Sequence, residues 1–240
     1  SLEWRTSVPE NNTSTKLEYR KHAAILVLTG LADNSPYLLY QLIDEILESI
    51  LSALRDGKSI IREDTAKLLG KCLIVLRTRN NPHENEKWIE RLFKECDSGF
   101  NFGSIEYIHS SLLIYHELLS SDNNRLLKPR INEMFRNSIH WKEHKSEIVR
   151  LEVYRVFPLF AKFNRKTFVS KYMDTIVKYC LKTLKTMRVN FLNVGDRGAV
   201  LTALGDIAFE TGHNITPYLN EIIYNICLLY TSDAADDMQC

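Results

Sequence analysis

The chain has 240 residues, 31 Lys and Arg against 30 Asp and Glu, 45% hydrophobic and 25% charged residues. That composition is globular and long enough to bury a core, and it excludes wholesale disorder. A net charge of +1 leaves no global field for nucleic acid or a membrane surface, while 9 Gly and 6 Pro are too few for a turn-dense sandwich or barrel.

In chain order, the opening "SLEWRTSVPE" lacks a basic stretch followed by an apolar one, so it reads as the interior of a longer protein. "YRKHAAILVLTGLA" (19–32) is the first amphipathic helix. "SPYLLYQLIDEILESILSALRDG" (35–57) follows, with Leu39, Ile43, Ile46, Leu47, Ile50 and Leu54 on one face. Ser35-Pro36 supplies a start and Gly57 a stop for that helix. "IREDTAKLLGKCLIVL" (61–76), "NEKWIERLFKEC" (85–96) and "IHSSLLIYHELL" (108–119) are the next three helices. "RLLKPRINEMFRNSI" (125–139) carries Pro129 as a kink or a delayed start, and "VRLEVYRVFPLF" (149–160) comes after it. "KTFVSKYMDTIVKYCLKTLKTM" (166–187), "DRGAVLTALGDIAF" (196–209) and "TPYLNEIIYNI" (216–226) complete the series. No run alternates with period two, so strands have no support.

Every second helix shares one pattern, a basic or polar anchor followed by small and apolar residues. The anchors are Arg20, Arg62, His109, Arg150 and Arg197, separated by 42, 47, 41 and 47 residues. That period matches HEAT or armadillo helix pairs and exceeds leucine-rich or ankyrin units. The expected fold is therefore all-α: an α-solenoid of about five HEAT-type antiparallel pairs in a right-handed superhelix, spanning residues 1–226. Residues 227–240 read differently. "CLLYTSDAADD" (227–237) looks like the in-frame translation of a transposase sequencing adapter, and the apolar period dissolves there.

Constellations that mimic chemistry have plain readings. The glycines of "NVGDRGAVLTALGDIAFETG" (193–212) follow no strand and precede no Lys-Ser/Thr, so they form no phosphate loop. Gly198 and Gly205 instead read as a small-residue seat for a neighbouring helix. His140 and His144 have the i, i+4 spacing of zinc ligands but no evident third ligand. Cys180 between Lys178 and Lys182 is a half-buried core thiol before it is an activated one. The five cysteines form no CxxC pair and read as reduced. Asp64 and Asp196 stand ready to pair with Arg62 or Arg197 between repeats. Lys178, Lys182, Lys185 and Arg188 make a basic stripe along one helix, a solvated face before it is a phosphate binder, with Tyr172 and Tyr179 serving the core. No apolar run reaches the roughly 18 residues of a membrane span.

The ordered series "YRKHAAILVLTGLADNSPYLLYQ", "IIREDTAKLLGKCLIVLRTRN", "WIERLFKEC", "IHSSLLIYHELL", "YRVFPLFAKFNRKTF" and "GAVLTALGDIA", preceded by "LEW" at 2–4, resembles the N-terminal HEAT solenoid of target-of-rapamycin kinases. The link "SIHWKEHKSEI" (138–148) is short where many relatives carry a long insertion. The resemblance implies a non-catalytic scaffold segment of a nutrient-responsive, cytoplasmic Ser/Thr kinase. Its partners would be a raptor-type subunit and other parts of a dimeric complex, with no cofactor, metal or nucleic acid bound here. No HRD-type loop, DFG or glycine-rich nucleotide loop occurs in the sequence, so no catalytic residue is assigned. Helical spacing nominates Trp88, Arg91, Lys178, Lys182 and Lys185 as exposed protein-contact positions. The alternative is a free-standing HEAT or armadillo adaptor, such as a transport receptor or phosphatase scaffold.

Overall fold

The computed structural model describes residues 11–79, 81–121, 124–187 and 194–237. Two compact units divide the chain, Ser1–Ser121 and Asp122–Cys240, and no strand occurs among the described residues. The fold is an all-α solenoid, as the period predicts.

The first unit contains α1 (Asn11–Asn34), α2 (Pro36–Gln41), α3 (Ile43–Ala53), α4 (Ser59–Thr78), α5 (Pro82–Phe102) and α6 (Ile105–Ser120). Helix α4 is its centre, packed by α1 on one side and α6 on the other, with α5 laid against α6. Its buried residues spread over more than half of the helix circumference: Ile61, Leu68, Cys72 and Val75 toward one side, and Arg62, Ala66 and Gly70 toward the other. Two-sided burial is what an inner helix of a stack requires. Local chemistry sets the boundaries of α5. Pro82 opens it, the Asn81 side chain accepts from the Glu84 N–H, and Gly103 closes it at φ 76°. Ser104 then caps α6 by accepting from the Tyr107 N–H.

The second unit contains α7 (Asn124–Leu127), α8 (Ile131–His140), α9 (Glu147–Phe163), α10 (Arg165–Lys171), α11 (Met173–Met187), α12 (Val194–Thr211), a 3₁₀ turn (Gly212–Ile215) and α13 (Thr216–Asp237). Helices α9 and α12 pack along their lengths. Val149, Val153, Val156, Phe157 and Phe160 of α9 are buried, as are Val200, Ala203, Leu204 and Ile207 of α12. Helix α13 continues to Asp237, past the residue where its apolar period fades.

Two helices expected to be single are broken. The 35–57 helix breaks at Leu42, whose φ of −115° and ψ of 15° tighten the turn so that its N–H meets the Leu39 and Tyr40 carbonyls. The 166–187 helix breaks at Tyr172, with φ −118° and ψ −31°, although the Tyr172 N–H still reaches the Phe168 carbonyl. A third break, between α7 and α8, falls at Pro129 as its missing N–H dictates. The first helix of a pair is thus interrupted near its start in three of these repeats.

The small-residue stripe of α12 does not seat a helix here. A Cβ added at Gly198 or Gly205 would meet nothing within 4 Å, because both point away from α9. Tight glycine contacts occur elsewhere: a Cβ at Gly99 would lie 2.2 Å from Ser111 Oγ and 3.0 Å from the Tyr107 carbonyl oxygen. Gly205→Ala is therefore expected to stabilise the chain by about 0.5–1 kcal/mol through helix propensity alone. A lowered melting temperature would place a neighbour on that stripe.

Candidate protein-interaction surface

Adjacent repeats are tied by two sets of polar rungs, and these separate the surface that is used internally from the surface left over. One set joins the starts of successive second helices. Arg62 on α4 donates from Nε to His109 Nδ1 on α6 at 3.1 Å, 47 residues along the chain. Its Nη1 donates to the Asp56 and Gly57 carbonyls at 2.7 and 3.1 Å. Arg150 on α9 repeats this arrangement: Nε to Asp196 Oδ2 on α12 at 2.8 Å, and Nη1 to the His144 and Lys145 carbonyls at 2.8 and 3.0 Å. On α1, His22 Nε2 sits 2.7 Å from Asp64 Oδ2 on α4. The expected ladder exists, but in another register. Asp64 lies two residues from Arg62 on the same helix, so it turns to His22 and Lys67 instead, while Asp196 takes Arg150.

The other set joins successive first helices through aromatic donors. Trp88 Nε1 donates to Asp44 at 2.5 Å and Tyr218 Oη to Asp174 at 2.8 Å, each 44 residues apart. Tyr172 Oη donates to Asn132, 40 residues back. Separations of 40–47 residues recur through both sets, so one structural period underlies both.

These rungs correct one nominated position. Trp88 is 1% exposed, because its ring lies on the buried face of α5 with Leu92 and Cys96, so it belongs to the core. Arg91 is exposed and pairs with Glu95 at 3.1 Å, and Glu95 also binds Arg55. On α11, Lys178 pairs with Asp174 at 2.9 Å and Lys185 with Glu221 of α13 at 2.5 Å. Lys182 is exposed between them, and Arg188 lies outside the described residues. The Lys178 ammonium and the Tyr218 hydroxyl hold the Asp174 carboxyl below its ordinary range. The stripe is therefore mixed in sign rather than purely basic, which suits a protein partner better than a polyphosphate backbone. Tyr172 is buried and Tyr179 half-buried, so neither is a stacking platform.

The other candidate chemistries resolve into structure. Burial pushes the Cys180 thiol up to about 12, and Cys72 likewise, the opposite of an activated thiolate. His140 and His144 flank the Trp141 ring, and His144 Nδ1 accepts from the Ser146 N–H at 3.1 Å. Desolvation and the nearby Lys145 cation lower the His144 pKa. No group of three or more potential metal ligands occurs among the described residues, and no helix among them is long and apolar enough to cross a membrane. A cleft between α3, α5 and α6, lined by Arg55, Glu95 and Tyr107, has room for a single water.

A HEAT-like repeat family profile matches residues 18–71, the stretch from α1 into α4. Across nearly the whole chain the similarity is to much longer proteins. The serine/threonine-protein kinase TOR2 of Saccharomyces cerevisiae is 41% identical over 226 residues, 94% of this chain and 9% of that protein. The chain is homologous to the TOR kinases. The serine/threonine-protein kinase tor1 of Schizosaccharomyces pombe is 30% identical over 206 residues, and the TOR kinase of Oryza sativa 28% over 205. Each alignment covers 8% of the relative's length. The chain thus corresponds to a helical-repeat segment of a TOR kinase, about a tenth of the relatives' length, and no kinase domain lies in it.

Proposed function

We propose that this segment is a scaffold arm of a TOR-type Ser/Thr kinase, presenting its helical-repeat surface to accessory subunits during complex assembly in cytoplasmic nutrient signalling. A raptor-type subunit and other parts of the kinase dimer are the partners that the resemblance nominates. The observation that carries this reading is the alignment with TOR2 over 94% of the chain. The surface chemistry is compatible with it. The rungs engage polar groups between repeats, the cleft between α3, α5 and α6 holds no more than a water, and α11 offers exposed, mixed charge. Broad surfaces of this kind bind through many residues spread over adjacent repeats.

The test is charge reversal of Lys178, Lys182 and Lys185 together in the full-length kinase, followed by co-purification with the raptor-type subunit. Recovery of the complex is expected to fall at least several-fold, since rim charges govern encounter and fused like charges repel. Because Lys185→Glu also breaks the Glu221 pair, a melting curve must show that the segment remains folded. Full recovery of complex by a folded triple variant removes this face from the interface.

A further inference from the structure

An aspartate followed by glycine is the dipeptide most open to attack by its own backbone, because glycine has no side chain to hinder the approach of its nitrogen to the carboxyl carbon. Asp56–Gly57 is such a pair, and among the described residues Asp56 is the one aspartate outside a helix. The Lys58 N–H donates to Asp56 Oδ1 at 3.0 Å, which folds the carboxyl forward over the Asp56–Gly57 peptide. No group among the described residues accepts from the Gly57 N–H, so the nucleophile is free. A Cβ at Gly57 would meet nothing within 4 Å, and its φ is not positive. Neither packing nor backbone geometry therefore demands a glycine there.

Other contacts hold this loop shut. Lys21 of α1 pairs with Asp56 Oδ2 at 3.2 Å, and the Asp56 side chain is 11% exposed. Arg62 of α4 is buried and donates from Nη1 to the Asp56 and Gly57 carbonyls at 2.7 and 3.1 Å. The Asp56 N–H donates to the Ala53 carbonyl at 3.1 Å. Burial works against ionisation, yet the Lys58 N–H and then Lys21 hold the Asp56 carboxyl below the ordinary carboxylate range. An ionised carboxylate is a poor electrophile, and Arg62 fixes the two carbonyls that must turn before the nitrogen can reach it.

We propose that Asp56–Gly57 is a latent isoaspartate site, kept closed in the folded chain by Lys21 on the carboxyl and Arg62 on the two carbonyls. The only co-reactant is water. With the carboxyl protonated, the Gly57 nitrogen attacks Asp56 Cγ. The N–Cγ bond forms, the Cγ–OH bond breaks, and the hydroxyl leaves as water with the amide proton. Water then adds to the succinimide. Addition at Cγ breaks N–Cγ and restores aspartate. Addition at the former main-chain carbonyl breaks its bond to nitrogen, frees it as a carboxylate and routes the chain through Cβ and Cγ. The main chain is then longer by a methylene, and a carboxylate stands where the Asp56 carbonyl accepted from Arg62. The modification thus undoes the seat of Arg62 at the start of α4.

Ageing the 240-residue chain at neutral pH, folded and in urea, tests the site. Isoaspartate is labelled with an isoaspartyl methyltransferase and placed in the sequence by electron-transfer mass spectrometry. At position 56 it is expected to form at least about tenfold more slowly in the folded chain, since modification tracks the population of the opened loop. Lys21→Gln, at a half-exposed position, is expected to raise the folded rate by about two- to fivefold, the scale of one exposed ion pair. Gly57→Ala fits the open space beside it and is expected to remove the signal. Equal rates in folded and unfolded chain, or a folded Lys21→Gln rate no higher than that of wild type, overturn the guarding. A signal at 56 undiminished by Gly57→Ala overturns the site itself.

Discussion

Replacing Asp196 by alanine is expected to cost about 3–5 kcal/mol, the range for breaking a buried ion pair from one side. The Asp196 side chain is 3% exposed and that of Arg150 13%, with Nε and Oδ2 2.8 Å apart. The loss is large because Arg150 cannot leave. Its Nη1 remains bound to the His144 and Lys145 carbonyls, so the guanidinium stays in place with one donor unsatisfied and no counter-ion. Removing both charges together, as Arg150→Met with Asp196→Leu, is expected to be far milder, since apolar replacement of a buried pair is often near neutral. The double variant should therefore be more stable than Asp196→Ala alone, and the cycle of single and double variants isolates the coupling. Urea unfolding of the 240-residue chain reports each value. A loss under about 1 kcal/mol for Asp196→Ala, the scale of an exposed pair, would mean that water reaches the joint.

The contrast between rungs shows what the sequence carried. The period of 41–47 residues between anchors is a property of helix starts, and it put Arg62, His109, Arg150 and Arg197 at the starts of successive helices, although the rung from Arg150 goes to Asp196, the residue before the expected anchor. Which anchor meets which depends on the rotation of one helix against the next, and a shift of one or two residues changes the partner. That is why Asp64 meets His22 while Arg62 reaches His109. The breaks at Leu42 and Tyr172 left no local signal, because neither residue is proline or glycine. Tertiary packing of the bent stripe overrides the helical propensity of these stretches. The glycines of α12 show the converse. Composition reveals that a close approach is possible at Gly198 and Gly205, not that a neighbour occupies the space.

Sidedness of α5 is written in its spacing, yet the expectation put Trp88 on the exposed side, where the structure buries it. Trp88, Leu92 and Cys96 follow one another at i, i+4 and i+8, with Ile89 and Phe93 alongside, which is the inward stripe of a helix. Arg91 falls off that stripe and is exposed. Trp88→Ala is accordingly expected to destabilise the first unit by about 3–5 kcal/mol, the cost of an aromatic cavity in a packed core. Trp88→Phe keeps most of the ring volume and gives up the Nε1–H···Asp44 bond, 2.5 Å long. Since Asp44 is 54% exposed, water can re-solvate the freed carboxylate, and the loss should be about 1 kcal/mol. A ring on the surface predicts something else, with both substitutions within about 0.5 kcal/mol of wild type. Equilibrium unfolding of the two variants separates the cases. A large gap between alanine and phenylalanine assigns Trp88 to holding successive helices together, and any effect of Trp88→Ala on complex formation would then follow from the loss of fold rather than of a contact.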